Sequence, residues 1–417
     1  MFTLISKKYC FVKKLLKLPI TFSRLHAEGF SMENSIDKIP FVGKHQFTQL
    51  PVYRILNSSK MDHVTIDKLQ FHEDLLVDIY KTMLSLSVMD TILYECQRQG
   101  RISFYMTNIG EEAVQIGSAA ALLPDDLVYA QYRESGVLLW RGLDYTFFVN
   151  QCFGNKSDKS KGRQMPVHYG CKSLNFVTIS SPLGTQLPQA VGAAYGLKNH
   201  HKDQCVTCYF GEGAASEGDA HAALNFAAVL ECPILLICRN NGYAISTPAS
   251  QQYKGHGIAV RGPAYGIRTI RVDGNDALAM YQVTKEARQY VVREKKPVLI
   301  EAITYRIGHH STSDDSTAYR KFGDIADYSR NCPIVRLKKF LCDSMIWDDK
   351  KEQEWLIKSR NHIINAICFA EIEEKPLLKD LFSDVYYTWP RNLTTMIRIS
   401  QSEIEVNILL FVQVLEL

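Results

Sequence analysis

The stretch CVTCYFGEGAASEGDAHAALNFAAVLECPILLICRNNGY, residues 205–243, decides the fold. Its first six residues, CVTCYF, form a short apolar run that ends on Gly211-Glu212-Gly213, and PILLICRN at 233–240 repeats the pattern and ends on Asn241-Gly242. Apolar runs of this length bounded by glycine read as strands buried on both faces, while the alanine-rich span Ala214–Glu231 between them reads as a helix. Strand, helix, strand in that order implies a parallel pair joined by a crossover.

Working outward, the same unit recurs. A helix over Asp276–Glu294 precedes the strand PVLIEAITY at 297–305, and an amphipathic helix spans Glu73–Gln99, where Leu75, Leu76, Ile79, Met83, Leu86, Met89 and Leu93 recur at three- and four-residue steps before Gly100 ends it. Beyond Pro333 the chain is charged and helical, through KKEQEWLIKSRNHIINAICFAEIEE. The expected fold class is α/β, a parallel sheet with helices on both faces followed by a helical C-terminal region. Residues 28–75, with Pro40, Gly43, Pro51 and Asn57-Ser58-Ser59, read as an extended segment that wraps a surface, with regular structure beginning near His72. The division expected is 1–27, 28–75, 76–332 for the α/β domain and 333–417 for the helical region.

Residues 1–27 hold Lys7, Lys8, Lys13, Lys14, Lys17 and Arg24, no acid, and interleaved apolar residues, the pattern of a mitochondrial presequence; the lysine pairs break every run long enough for a secretory signal. The net charge of +4 less these six gives −2, so the body carries no nucleic-acid footprint. Eleven cysteines lack framework spacing and fit free thiols in a reducing compartment. Cys205 and Cys208, with His200 and His201 before them, could be imagined as a zinc site, but the pair lies inside a buried strand and no second pair completes a tetrahedron. No apolar run reaches the length of a membrane span.

The chemistry concentrates where the strands end. Glu212 follows the first strand, and Asn241 follows the second 29 residues later, so an acid and an amide sit at the carboxyl ends of parallel strands, where open α/β sheets bind ligands. A diphosphate needs close backbone N–H donors, which glycines permit, and a divalent cation held by hard oxygens, which Glu212 and Asn241 supply.

At this point the chain resembles a known family. The spacing of Gly211-Glu212-Gly213 from Asn240-Asn241 is similar to the thiamine-diphosphate motif. The segments AQYRESG (130–136), GRQMPVHYG (162–170), TISSPLGTQLPQAVGAAYG (178–196), FGEGAASEGDAHAALNFAA (210–228), CRNNGYAISTP (238–248) and YRIGHHSTSDDSTAYR (305–320) resemble α subunits of the E1 component of the 2-oxo acid dehydrogenases, branched-chain type. The likeness runs from about residue 35 to 395.

The resemblance implies thiamine diphosphate, Mg²⁺ and K⁺ as cofactors. It gives Glu212, Asn241 and the carbonyl of Tyr243 to Mg²⁺. It gives Tyr132, Arg133, Ser181, Leu183, Gly211, Gly213, Ala214, Arg239 and His310 to the cofactor, and Ser180, Pro182, Thr185 and Gln186 to a K⁺ that orders their loop. His310 acquires a catalytic role in acyl transfer, suited to an imidazole whose ordinary pKa is near 6.5. Phe104 and Tyr132 are the expected pocket walls. Ser311 resembles the family's regulatory phosphorylation site, whereas Lys321 stands where a second such serine is common. Gly184 replaces a more usual alanine, which is expected to loosen its loop.

The implied reaction is oxidative decarboxylation of a branched-chain 2-oxo acid, with the acyl unit passed to lipoamide. The implied partners are an E1 β subunit in an α2β2 heterotetramer, a lipoyl-bearing E2 acyltransferase, and a regulatory kinase and phosphatase, all in the mitochondrial matrix. The β subunit is expected to supply the carboxylate that works on the aminopyrimidine, so the α chain alone is incomplete. After FSDVYYTWPRNL (382–393) the chain departs from the family, and 396–417 is divergent. Three other readings compete. A pyruvate-type α subunit differs at RISFYMTN and GRQMPVHYG; a dinucleotide-binding protein lacks its GxGxxG and acidic ribose partner; a non-catalytic paralogue rests on the divergent tail alone.

Overall fold

The computed structural model describes residues 50–56, 71–200, 203–383, 386–388, 390–400 and 402. The expected presequence, most of the segment 28–75 and the tail from 403 lie outside the described residues.

Among the described residues there are eight strands: β1 Val52–Tyr53, β2 Leu127–Tyr129, β3 Val206–Gly211, β4 Ile234–Asn240, β5 Tyr243–Ala244, β6 Thr247–Pro248, β7 Arg268–Asp273 and β8 Val298–Ile303. Six of them form one sheet in the order β1-β7-β8-β4-β3-β2, and every pair in it is parallel. The remaining two, β5 and β6, make a small antiparallel hairpin just after β4. The principal helices are α1 Glu73–Arg98, α2 Glu112–Ala121, α3 Ser135–Trp140, α4 Tyr145–Phe153, α5 Gln186–Asn199, α6 Gly218–Val229, α7 Ala277–Glu294, α8 Phe322–Arg330, α9 Pro333–Asp343 and α10 Asp349–Ile372.

The period-2 alternation of the strands divides the interior in two. Cys205, Tyr209, Leu235, Ile237, Val272, Ile300 and Ala302 face a core built with α1, α2, α3, α4, α7, α9 and α10. Val206, Cys208, Phe210, Ile234, Leu236, Cys238 and Leu299 face a second core under α5 and α6. The CxxC pair is thereby resolved: Cys205 and Cys208 are both buried but lie in different cores, so they cannot share a metal ion.

The strand–helix–strand reading of 205–240 holds with one adjustment. The helix begins only at Gly218, because a tight 3₁₀ turn, Ala214–Ser216, first carries the chain off the end of β3. The edge strand β1 falls in the span read as irregular, where two residues between prolines and polar clusters carry too little pattern to announce a strand. Strands β2 and β7 were also silent in the sequence.

Asp276 ties three of these elements together. Its Oδ1 accepts from the backbone N–H groups of Leu278 (3.1 Å) and Ala279 (3.0 Å) at the start of α7, and its Oδ2 accepts from Ile55 (2.7 Å) and Leu56 (2.5 Å) just after β1. Arg336 of α9 stands 3.8 Å from the same Oδ2. Replacing Asp276 with Ala removes a helix cap and strands buried donors, and it is expected to cost about 3 kcal/mol, read as a lowered urea midpoint at unchanged slope.

Candidate active site

The register of the sheet builds the site. Gly211 at the end of β3 is paired with Arg239 near the end of β4, so the next residues, Glu212 and Asn241, emerge side by side at the carboxyl edge. The Asn241 N–H donates to Glu212 Oε2 at 3.3 Å. A cavity of about 270 Å³ opens there, and Tyr132, Arg133, Leu183, Gly211, Glu212, Gly213, Ala214, Arg239, Asn241, Tyr243 and His310 all line it.

Glu212 is 1% exposed, and its Oε1 has no hydrogen-bond partner. Burial, with the Glu111 carboxylate adding to it, raises the Glu212 pKa to about 7. A cation is what such a group lacks: it would restore the ionised form and occupy the unpartnered oxygen. Among the described residues no three His, Cys, Asp or Glu side chains cluster as a self-sufficient metal site, so an ion seated on Glu212 and Asn241 would need ligand oxygens to complete its shell. Gly213 lets the hairpin pack close beside it, since a Cβ there would stand 2.6 Å from the Ala244 Cβ.

Positive charge faces this acid from behind. Arg239 is buried and paired with Glu111 through Nη1 and with Glu134 through Nε (2.5 Å); burial disfavours its charge, but the two carboxylates outweigh this and raise its pKa. Arg133 is buried as well, and donates to the Thr107 and His310 carbonyls. Burial lowers its pKa.

His310 differs from the titrating imidazole expected from its ordinary pKa. Its Nδ1 lies 3.4 Å from Arg133 Nη2 and 3.4 Å from Arg306 Nη1, so that nitrogen must accept and Nε2 carries the hydrogen. Burial first, then the two guanidinium charges, push its pKa down to about 3. The site thus presents a neutral N–H donor at working pH. Asp314 anchors the loop, accepting from His310 N (2.8 Å) and from Tyr319 OH (2.6 Å).

The remaining sequence-predicted residues lie nearby without lining the cavity. Ser181 Oγ is 2.8 Å from His168 Nε2. Ser180, Pro182, Thr185 and Gln186 share one turn before α5: Thr185 Oγ1 donates to the Pro182 carbonyl (2.9 Å) and to Ser180 Oγ (3.3 Å), and Gln186 Nε2 donates to the Tyr209 carbonyl (3.1 Å). Gly184 in that turn has φ +88°, a left-handed conformation that glycine adopts without strain, so the residue suits the turn as built and does not loosen it. Ser311 Oγ accepts from Ser313 N at 3.3 Å on the loop next to His310. Phe104 packs against the core and does not line the cavity.

Several residues that the sequence reading passed over belong here. Gln131, Glu217 and Arg306 line the cavity, and Glu111 and Glu134 stand behind Arg239. The signal for the last two was present: NIGEEAVQIGS places adjacent acids in an apolar run, and Glu134 sits inside AQYRESG.

A depressed pKa fixes the sign of a pH effect. Between about pH 6.5 and 3 the unfolded chain binds a proton at His310 that the folded chain refuses, so this residue subtracts stability as pH falls through that window. His310→Gln is expected to lose less stability than the parent chain between pH 6.5 and 4, measured by urea unfolding; parallel losses in the two proteins contradict the neutral assignment.

The family profile described as Dehydrogenase E1 component matches residues 80–379. The chain is 55% identical over 366 residues to the mitochondrial 2-oxoisovalerate dehydrogenase subunit alpha of Homo sapiens, covering 86% of this chain and 81% of that one. It is 55% identical over 362 residues to the protein of the same name from Caenorhabditis elegans, covering 86% and 83%. It is 53% identical over 358 residues to the mitochondrial subunit alpha 2 from Arabidopsis thaliana, covering 85% and 76%. A profile match over most of the chain, together with relatives more than half identical along more than three quarters of their length, means that the chain belongs to the dehydrogenase E1 component family.

Proposed function

We propose that the cavity at the carboxyl edge of β3 and β4 holds thiamine diphosphate through a Mg²⁺ ion on Glu212, Asn241 and the Tyr243 carbonyl. The observation that carries this is Glu212, a buried carboxylate with one oxygen unpartnered, in the wall of the cavity. The wider activity follows from the family. The chain is an α subunit of a branched-chain 2-oxo acid dehydrogenase, a thiamine-diphosphate-dependent oxidoreductase that works with a β subunit, and it is mitochondrial.

Bound thiamine diphosphate supplies the electron sink for decarboxylation. The protein supplies position and charge. Arg133 and Arg239 face the diphosphate as cations that stay charged at any working pH, with Tyr132 beside them and the turn at Gly213-Ala214 offering backbone N–H groups. Leu183 would support the bound cofactor as part of the cavity wall, and His310, whose Nε2–H is left to donate, would serve acyl transfer to the lipoyl group of E2. The turn Ser180–Gln186 gathers the oxygens proposed for K⁺. The aminopyrimidine carboxylate comes from the β subunit, so each chain holds part of the active site.

Co-expression with a branched-chain β subunit tests the reading by decarboxylation of 4-methyl-2-oxopentanoate. Activity is expected to require thiamine diphosphate and Mg²⁺, to fall at least about 100-fold in Glu212→Gln, and to be absent from the α chain alone. A stable complex that turns over without the cofactor, or a fully active Glu212→Gln, defeats it.

Ser311 extends the reading to control by a kinase and phosphatase. A phosphate there places about two negative charges three residues from Asp314, which anchors the His310 loop. Ser311→Glu is expected to lower overall activity and to expose residues 308–320 to limited proteolysis; full activity with an intact loop removes the idea.

A further inference from the structure

The two ends of an asparagine amide have nearly the same shape, so which end meets a cation is decided by what the amide's surroundings accept and donate. At Asn241 two groups settle it. Glu111 Oε1, an acceptor, takes the Nδ2 hydrogen at 2.7 Å, and the Tyr243 backbone N–H, a donor, reaches Oδ1 at 3.1 Å. Glu111 is itself fully buried, and its second oxygen is held by Arg239 Nη1, so the carboxylate cannot swing away. Both of its oxygens thus meet N–H donors, Asn241 Nδ2 and Arg239 Nη1, which is the arrangement an acceptor-only carboxylate requires.

We propose that Glu111 is a positioning residue for the metal centre: through its bond to Nδ2 it turns the Asn241 amide so that oxygen, and not nitrogen, is offered to Mg²⁺. This rests on the cofactor reading above and adds a residue that this reading does not use. The same carboxylate holds Arg239, so the metal ligand and one of the diphosphate cations are set by a single side chain from the start of α2. A divalent cation such as Mg²⁺ accepts oxygen donors and discriminates against amide nitrogen, so a reversed Asn241 is a lost ligand.

Glu111→Gln is the informative change because it keeps the size of the side chain while giving Asn241 a partner that can either accept or donate, which leaves the Tyr243 N–H alone to hold the amide orientation. Glu134 still pairs with Arg239 in this variant. The measurement is Mg²⁺ titration by calorimetry on the α2β2 complex at saturating thiamine diphosphate, beside the Mg²⁺ dependence of activity. The expected result is a Kd for Mg²⁺ raised about 10- to 100-fold, kcat at saturating Mg²⁺ falling by a smaller factor, and the metal-free Tm of the complex lowered only modestly, because Arg239 keeps Glu134. Glu111→Asp keeps an acceptor-only group and is expected to recover part of the affinity. A Kd in Glu111→Gln within about twofold of the wild type overturns the proposal, as does a loss of affinity that follows a lowered Tm alone. Should Glu111→Gln fail to assemble, the isosteric pair Glu111→Asp and Glu111→Asn carries the test, and equal Mg²⁺ affinity in the two counts against the proposal. Failure of the wild-type complex to bind Mg²⁺ with thiamine diphosphate overturns instead the cofactor reading.

Discussion

The guanidinium of Arg239, clamped between Glu111 and Glu134, is the constraint on which the site depends. Moving a charge from water into the interior costs several kcal/mol per ion, and only close, fully hydrogen-bonded partners offset it. Here the three partners come from separate places in the chain: Glu111 just before α2, Glu134 just before α3 and Arg239 near the end of β4. None of them is satisfied unless all three elements are docked. Because the penalty for a missing partner exceeds the gain from any one contact, this cluster fixes how the helices sit against the carboxyl edge of the sheet, and with them the loops that line the cavity.

Around that clamp the cavity alternates charge in layers. The paired acids lie deepest, the two arginines face the cavity in front of them, and Glu212 stands as an isolated acid with an oxygen to spare. The loop after β8 adds Arg306 and His310, and burial, with the Arg133 and Arg306 charges adding to it, keeps the imidazole neutral. The result is a surface whose fixed cations suit an anion, with one unpartnered carboxylate oxygen at Glu212, where the divalent metal is proposed to sit. Preorganised charge of this kind needs little rearrangement when a ligand arrives.

Much of this was legible from the chain. The segment 205–243 announced two buried strands and the helix between them, and the glycine-flanked Glu212 with Asn241 marked the ligand edge, because strand ends and short glycine turns leave local signatures. What the sequence concealed has physical causes. The strand Leu127–Tyr129 is too short for a period to show, and Val52–Tyr53 gains its identity only from pairing with Arg271 and Val272. The roles of Glu111 and Glu134 depend on distant residues, at separations of 128 and 105 positions from Arg239. The change at His310 is of the same kind: its residue type suggested a proton carrier, but two arginines folded against it decide otherwise.

The sheet also acts as a partition. Side chains on opposite faces of β3 and β4 belong to separate cores, one large and bordered, among the described residues, by seven helices, the other small and covered by α5 and α6. Substitutions in different cores share few partners, so their effects should combine additively, whereas those within one core compete for the same space. In evolutionary terms the two sides can repack on independent schedules while the carboxyl edge between them, and the chemistry it carries, stays where it is.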